Sequence, residues 1–287
     1  RGHAAARPAR LSARPLDPAP PARQPRAMAP ILHRTIPHEP WRTAHRLPGI
    51  APLDPARWIL IDEAYGPQMA ERDRLIAAMP ERVHALDEAA RPAAEELLAR
   101  VLAEIARLPG FAVGPDQVVR PDGVRITCDR AAPLLTLGRL VAQDFCLLER
   151  PEGSAEHVLT GAILCFPARW RLAEKMGRPL IAIHDPVEVY DAALAPRVQR
   201  LFDAIRPEAP LWRANALLYA NPALFQPERA QPGTPEAAAP PRYFRSERQC
   251  LVRLPQSRAV VFSIHTYLMA LGDLPPGAAE GIAAVAP

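Results

Sequence analysis

The sequence lacks closely spaced cysteine pairs and long apolar runs. These absences argue against a zinc-binding protein and a membrane protein. No apolar run approaches the roughly 18 residues that a membrane-spanning helix needs, so we expect no membrane segment. The 287-residue chain has four cysteines without a C-x-x-C pair, which argues against a zinc site. Because all four lie in or beside apolar, strand-like runs, we expect buried free thiols in a reducing cytoplasm rather than disulfides.

The sequence also lacks the short motifs of several enzyme classes. It contains neither a G-x-G-x-x-G nor a G-x-x-x-x-G-K-[ST] loop, which disfavours a nucleotide-binding parallel sheet. It has no G-x-S-x-G elbow and no H-E-x-x-H pair, so it does not resemble the common serine hydrolases or zinc proteases.

Positive charge is concentrated in one terminal segment. Residues 1–27 hold six arginines and one aspartate, a net charge of +5, whereas the whole chain carries +4. The rest is therefore nearly neutral, which gives no support for a nucleic-acid partner. Since residues 1–27 are rich in Arg, Pro and Ala and lack apolar periodicity, we expect a disordered tail, followed by a single domain over residues 28–287.

Apolar periodicity divides the remaining chain into a helical first part and a strand-rich second part. Helices and strands do not alternate regularly, so we expect an α+β fold on a mainly antiparallel sheet that ends in a C-terminal hairpin. The predicted helices are residues 65–79, 82–90, 92–108 and 193–205, and the predicted strands are residues 124–128, 140–148, 157–166, 211–219, 245–254 and 259–267.

His184 is the histidine best placed to bind a metal. It follows a short apolar run, residues 179–183, and Pro186 comes two residues later. A neutral imidazole on a rigid segment suits a metal ligand, with Asp185 as a candidate acceptor for its second nitrogen. The residues alone favour a partly buried histidine satisfied by the backbone. His265 is the alternative ligand. We expect His157 to be half exposed and four further histidines to be solvated: His33, His38, His45 and His84.

Glu247 is the candidate catalytic carboxylate. Alternation along residues 245–254 places Glu247 and Gln249 on one face of a strand and Arg248 on the other. A carboxylate on a core-facing position is unfavourable unless it is paired or functional. Two interpretations stay open: a functional acid, or a salt bridge with Arg213 or another arginine.

Several motifs, spread over residues 47–271, together resemble the bacterial haem-dependent oxidative N-demethylase family. Singly, none of them is specific. They are Leu47-Pro48-Gly49, Pro52-Leu53-Asp54, residues 69–73, Cys165-Phe166-Pro167, residues 170–175, Ile183-His184, Glu247-Arg248-Gln249, Arg253-Leu254-Pro255 and Thr266-Tyr267.

The resemblance implies a PAS-like domain that binds a b-type haem (heme b). His184 would be the iron ligand, and Glu247 would be the carboxylate beside the iron. Guanidinium groups suit the anionic haem propionates. The residues proposed to hold or line the cofactor are His184, Arg169, Arg171, Arg213, Arg248 and Trp170.

The resemblance also implies the reaction. Family members use dioxygen to oxidise a small secondary amine, such as dimethylamine, to a primary amine and formaldehyde. Electrons come from NADPH through a reductase with FMN and an iron–sulfur cluster, which must here be a separate chain. The chain departs from the family pattern at Glu188, where a proline is expected, and at Ala216, where a tryptophan is expected. The alternatives are a haem- or ligand-sensing module without turnover and a binding protein without haem.

Overall fold

A mainly antiparallel sheet of eight strands organises the computed structural model, which describes residues 29–43, 49–184 and 194–285. Its order is β1-β8-β10-β11-β6-β7-β2, and β9 also pairs with β10. The strands are β1 (Ala51–Pro52), β2 (His84–Leu86), β6 (Asp144–Glu149), β7 (Val158–Ile163), β8 (Leu211–Ala214), β9 (Leu217–Tyr219), β10 (Tyr243–Arg253) and β11 (Val260–Ala270). A separate small sheet contains β3 (Ala112–Val113), β4 (Gln117–Val119) and β5 (Arg125–Thr127).

Helices lie on both sides of the large sheet. Pro92 occupies the first turn of the longest helix, where its missing N–H is not needed. The helices are α1 (Pro40–Thr43), α2 (Tyr65–Ala78), α3 (Pro80–Val83), α4 (Arg91–Ile105), α5 (Pro133–Gly138), α6 (Leu172–Lys175), α7 (Leu180–His184), α8 (Leu194–Ala204), α9 (Pro235–Ala238) and α10 (Ala278–Val285). The prediction of an α+β fold on a mainly antiparallel sheet is therefore confirmed.

The β10–β11 hairpin forms the centre of the sheet and gives it two buried faces. Because side chains alternate along a strand, Glu247 and Gln249 of β10 lie on one face and Arg248 lies on the other. We call the first the Glu247 face and the second the His265 face, since His265 pairs with Arg248.

Each face packs against its own group of helices. Leu251 of the Glu247 face joins an apolar cluster with residues of α6, α7 and α8, including Leu172, Leu180 and Phe202. Cys250 of the other face joins a larger cluster built with α2, α4 and α5. Both faces of β10 are therefore buried. The alternation in the sequence separates the two faces but does not show whether one or both are buried.

Two predicted elements differ from the structure, and a third segment had no predicted secondary structure. Residues 82–90 do not form one helix, because residues 84–86 pair with β7 as strand β2. Residues 211–219 form two strands, β8 and β9, because the backbone leaves the ladder after Ala214. The apolar segment before His184 is the short helix α7.

Other predictions have mixed outcomes. The four cysteines are free, with Cys128 partly buried and the other three buried. No helix among the described residues is long and apolar enough to cross a membrane. The predicted tail, residues 1–27, lies outside the described residues, and the PAS-like likeness and the single-domain boundaries stay predictions.

Candidate functional site

Glu247 is a buried carboxylate at the centre of the Glu247 face. Its residue is 5% exposed. Oε1 accepts a hydrogen bond from Arg245 Nη2 at 3.2 Å, and Oε2 accepts from Asn215 Nδ2 and Gln249 Nε2, both at 3.0 Å. A carboxylate offers about four acceptor positions, so about one is left for another donor. The ion pair that the sequence suggested for Glu247 exists, with Arg245 as the arginine.

Asn215 fixes Glu247 from the neighbouring chain segment. Its Oδ1 accepts the Glu247 backbone N–H at 2.7 Å, while its own N–H donates to the Glu247 carbonyl at 3.2 Å. These contacts occur where β8 ends, so the break between β8 and β9 places an amide side chain beside the carboxylate. Sequence reasoning missed Asn215 as a site residue. The only signal for it was an asparagine inside an otherwise strand-like run.

The Glu247 face contains several buried polar atoms without hydrogen-bond partners. The cross-strand register places Thr266 opposite Glu247, Arg213 opposite Gln249, and Tyr219 opposite Tyr243. No described group pairs with Thr266 Oγ1, Tyr219 Oη, Arg213 Nε or Arg245 Nε. Burial lowers the pKa of Arg213 and raises the pKa of Tyr219. Since buried polar atoms are nearly always satisfied in folded proteins, these atoms are candidates for contacts with a ligand.

His184 ends α7 on the same side of the sheet. Leu180 and Ile183 of this helix pack into the apolar cluster of the Glu247 face, and Lys175 donates to the Ile183 carbonyl. The His184 side chain and the segment that begins with Asp185 lie outside the described residues. The assignment of His184 as a metal ligand therefore stays a prediction.

Arg169 reaches the rim of the Glu247 face. Its guanidinium lies 4.5 Å from the ring centre of Tyr219, and its Nη2 donates to the Leu218 carbonyl at 3.0 Å. Its φ of 62° is in the left-handed region, which is unfavourable for a residue with a Cβ atom. A backbone hydrogen bond of 2.7 Å to Gln226 stabilises this conformation.

The other predicted cofactor residues have different surroundings. Arg171 is exposed and forms ion pairs with Glu174 at 3.2 Å and Glu228 at 3.0 Å. Trp170 is partly buried against the apolar cluster of the Glu247 face. Arg248 lies on the His265 face. The structure therefore brings Arg213 and Glu247 together and leaves Arg248 on the other side of the sheet.

Arg248 is fully engaged where it lies. Its Nη2 donates to the Arg57 carbonyl at 2.7 Å, and its Nη1 donates to the Trp58 carbonyl at 3.4 Å and to Cys250 Sγ at 3.3 Å. The guanidinium also lies 5.3 Å from the ring centre of Trp212. These contacts hold residues 57–58 against the sheet.

The His265 face carries a His33–Asp62–His265 cluster. Asp62 Oδ2 lies 2.8 Å from His265 Nε2 and 3.2 Å from His33 Nε2. Burial alone would raise the pKa of the Asp62 carboxyl, but the hydrogen bonds from both histidines hold it well below its usual range. Burial lowers the pKa of His265. His33 is buried, so the prediction that it is solvated is wrong. Its backbone N–H donates to the carbonyl of Leu268 in β11.

The hydrogen-bond pattern of this cluster does not fit a metal ion, although three ligand atoms converge there. The Leu268 N–H donates to His33 Nδ1 at 3.2 Å, so the hydrogen of the neutral ring is on Nε2 and points to Asp62. A metal-ligating histidine usually donates its second ring N–H to an acceptor. His265 Nδ1 has no partner among the described residues. The cluster is therefore a hydrogen-bonded network.

Three further histidines are less exposed than predicted, and one of them, His84, is partly buried in β2. His38 is partly buried, its Nε2 lies 2.9 Å from Ser246 Oγ, and burial, Arg248 and His265 together lower its pKa to about 4. His157 is buried, and its Nδ1 accepts from Gln199 Nε2 at 2.9 Å. The predictions for His38 and His157 failed because segments distant in sequence cover these rings.

Fold and site together define an α+β protein with a buried carboxylate site on one face of an antiparallel sheet. The sequence matches the family described as haem-dependent oxidative N-demethylase, alpha subunit-like, over residues 49–284. The chain therefore belongs to this family. His184, Glu247 and all the residues assigned above to the Glu247 face lie inside the match, whereas His33 lies before it.

Proposed function

We propose that this chain is the haem-binding subunit of a monooxygenase that removes a methyl group from a small secondary alkylamine. The observation that carries the proposal is the Glu247 face. It combines a buried carboxylate, with about one acceptor position left, and unpartnered polar atoms inside the family match. The family description supports haem dependence and oxidative N-demethylation, and the amine, the reductase and a cytoplasmic location are our proposal.

The described residues fit an anionic cofactor at this face. Arg213 has a buried Nε without a partner and makes no hydrogen bond or ion pair with a described residue. A propionate would supply the missing acceptor. Arg169, at the rim, is the second candidate. Arg171 and Arg248 are already bound to carboxylates and to carbonyls, so we rank them below Arg213. His184 would ligate the iron, and bound haem would supply the activation of dioxygen.

Glu247 would hold the substrate. A small dialkylamine is protonated near neutral pH, and its N–H groups suit the acceptor position that remains on the carboxylate. Arg245, Asn215 and Gln249 would fix the direction in which this position points. The carboxylate would also be placed to accept and return a proton at the amine nitrogen during turnover.

The complete reaction defines the partners. The N-methyl amine, one dioxygen, two electrons and two protons give the demethylated amine, formaldehyde and water. The electrons would come from NADPH through the FMN and iron–sulfur centres of a separate reductase chain, because the four cysteines here have no cluster-like spacing. The match to an alpha subunit-like family supports the existence of a partner subunit.

Absorption spectroscopy of the purified protein tests the proposal. We expect a Soret band that is lost or strongly weakened in His184→Ala and retained in His265→Ala, the variant of the alternative ligand. Retention of the full, unshifted band in His184→Ala would contradict the ligand assignment. A Soret band without formaldehyde in the presence of amine, NADPH and reductase would favour the sensing module.

A further inference from the structure

Thr266 faces Glu247 across the central hairpin. The two residues are directly paired in the β10–β11 register, so their side chains lie on the same face. Directly opposed residues of an antiparallel pair have Cβ atoms about 4.5–5.5 Å apart. A ligand atom bound between them can therefore contact both side chains.

The Thr266 hydroxyl is buried and unpartnered. The residue is 1% exposed, and Oγ1 has no hydrogen-bond partner among the described residues. The backbone carbonyl of Thr266, by contrast, accepts from Gln68 Nε2 at 2.9 Å. A valine would fill nearly the same volume without burying a hydroxyl, so the hydroxyl is unfavourable here unless a bound group completes its hydrogen bonds.

The carboxylate opposite has limited room for donors. Three of its roughly four acceptor positions are used by Arg245, Asn215 and Gln249. One N–H of a bound ammonium ion therefore satisfies it. A protonated secondary amine has two N–H groups, so it needs a second acceptor nearby. A protonated tertiary amine has only one.

We propose that Thr266 Oγ1 accepts the second N–H of a protonated secondary amine whose first N–H is bound by Glu247. Thr266 is then a specificity-determining residue that favours secondary over tertiary amines, and Glu247 binds both. This inference rests on the proposed function of the Glu247 face. It names the structural reason why the site would select one class of amine.

Calorimetric titration of the purified holoprotein with dimethylammonium and trimethylammonium chloride tests the inference. Wild type should bind dimethylammonium more tightly. Thr266→Val should weaken dimethylammonium binding about three- to tenfold and leave trimethylammonium binding unchanged, so that the preference disappears. Thr266→Ser retains the hydroxyl and should restore it. Equal affinities of wild type and Thr266→Val for dimethylammonium, or equal losses for both amines, would overturn the inference.

Thr136 provides a matched control for stability. Its hydroxyl donates to the Asp129 carbonyl at 2.8 Å, so Thr136→Val should lower the melting temperature. Thr266→Val should leave it unchanged or raise it. A drop as large as in Thr136→Val would show that the Thr266 hydroxyl has a structural partner and would overturn the inference. If wild type binds neither amine, the proposed function fails and the inference fails with it; unaltered selectivity in Thr266→Val sinks the inference alone.

Discussion

Arg213 and Arg248 lie at neighbouring levels of one sheet, on opposite faces, and their surroundings differ. Arg248 donates to two backbone carbonyls and a thiol and stacks on Trp212. The Arg213 side chain makes no hydrogen bond with a described residue. Arg248 therefore stabilises the fold, whereas Arg213 has a buried N–H that is available to a ligand.

The two arginines give the largest expected difference in stability. Arg248→Met should lower the free energy of unfolding by about 2–4 kcal/mol, because it leaves the carbonyls of Arg57 and Trp58 without their donor. Arg213→Met should change it by less than about 1 kcal/mol, since the side chain loses no described hydrogen bond and only its charge interaction with Glu247. Urea denaturation of both variants measures the difference. Equal losses would remove the distinction between the faces.

The pH dependence of stability tests the burial of His38 on the His265 face. Burial, Arg248 and His265 lower the folded-state pKa of His38 to about 4, whereas the unfolded value is about 6.5. Between these values the unfolded state binds more protons, so stability falls as the pH drops from about 6.5 to 4. The glutamine in His38→Gln does not titrate, so this variant should lose less stability between pH 7 and pH 5, by about 1–2 kcal/mol. Urea denaturation at the two pH values tests this, and an unchanged loss would contradict it.

The smallest expected difference in stability is between phenylalanine variants of two buried tyrosines. The Tyr65 hydroxyl donates to the Leu140 carbonyl at 2.7 Å, so Tyr65→Phe should lower the free energy of unfolding by about 1–2 kcal/mol. The Tyr219 hydroxyl has no partner among the described residues, so Tyr219→Phe should have no effect or a slightly stabilising one. Thermal unfolding in the absence of added amine measures both. A clear loss in Tyr219→Phe would show that this hydroxyl serves the fold.

Local sequence signals predicted the regular parts of the fold well. The apolar stripe of residues 92–108 and the alternation in residues 245–254 and 259–267 correspond to α4, β10 and β11. These elements could be predicted because their apolar side chains recur with the period of a helix or of a strand. The helix predicted for residues 82–90 failed, because pairing with β7 is a distant interaction that a local pattern does not contain.

The site was only partly predictable for the same reason. The alternation of side chains along the strand predicted that Glu247 and Gln249 share a face. Thr266 and Asn215 lie beside Glu247 only because β11 and β8 pair with β10, which a local pattern does not contain. The burial of His33 depends on Leu268 and Asp62, which are far away in sequence. Family resemblance pointed to Glu247, and only the register showed which polar side chains surround it.

The response of the Glu247→Gln holoprotein to dimethylammonium tests the central claim most directly. The substitution removes the negative charge and keeps the shape, so we expect the Soret band and the fold to persist. The amine-induced spectral change should require roughly tenfold or more amine, in line with the ~1.5–3 kcal/mol of a charged hydrogen bond, and formaldehyde production should fall further. A Glu247→Gln protein that binds and oxidises the amine like wild type would contradict the account, because Glu247 would then be only the structural partner of Arg245.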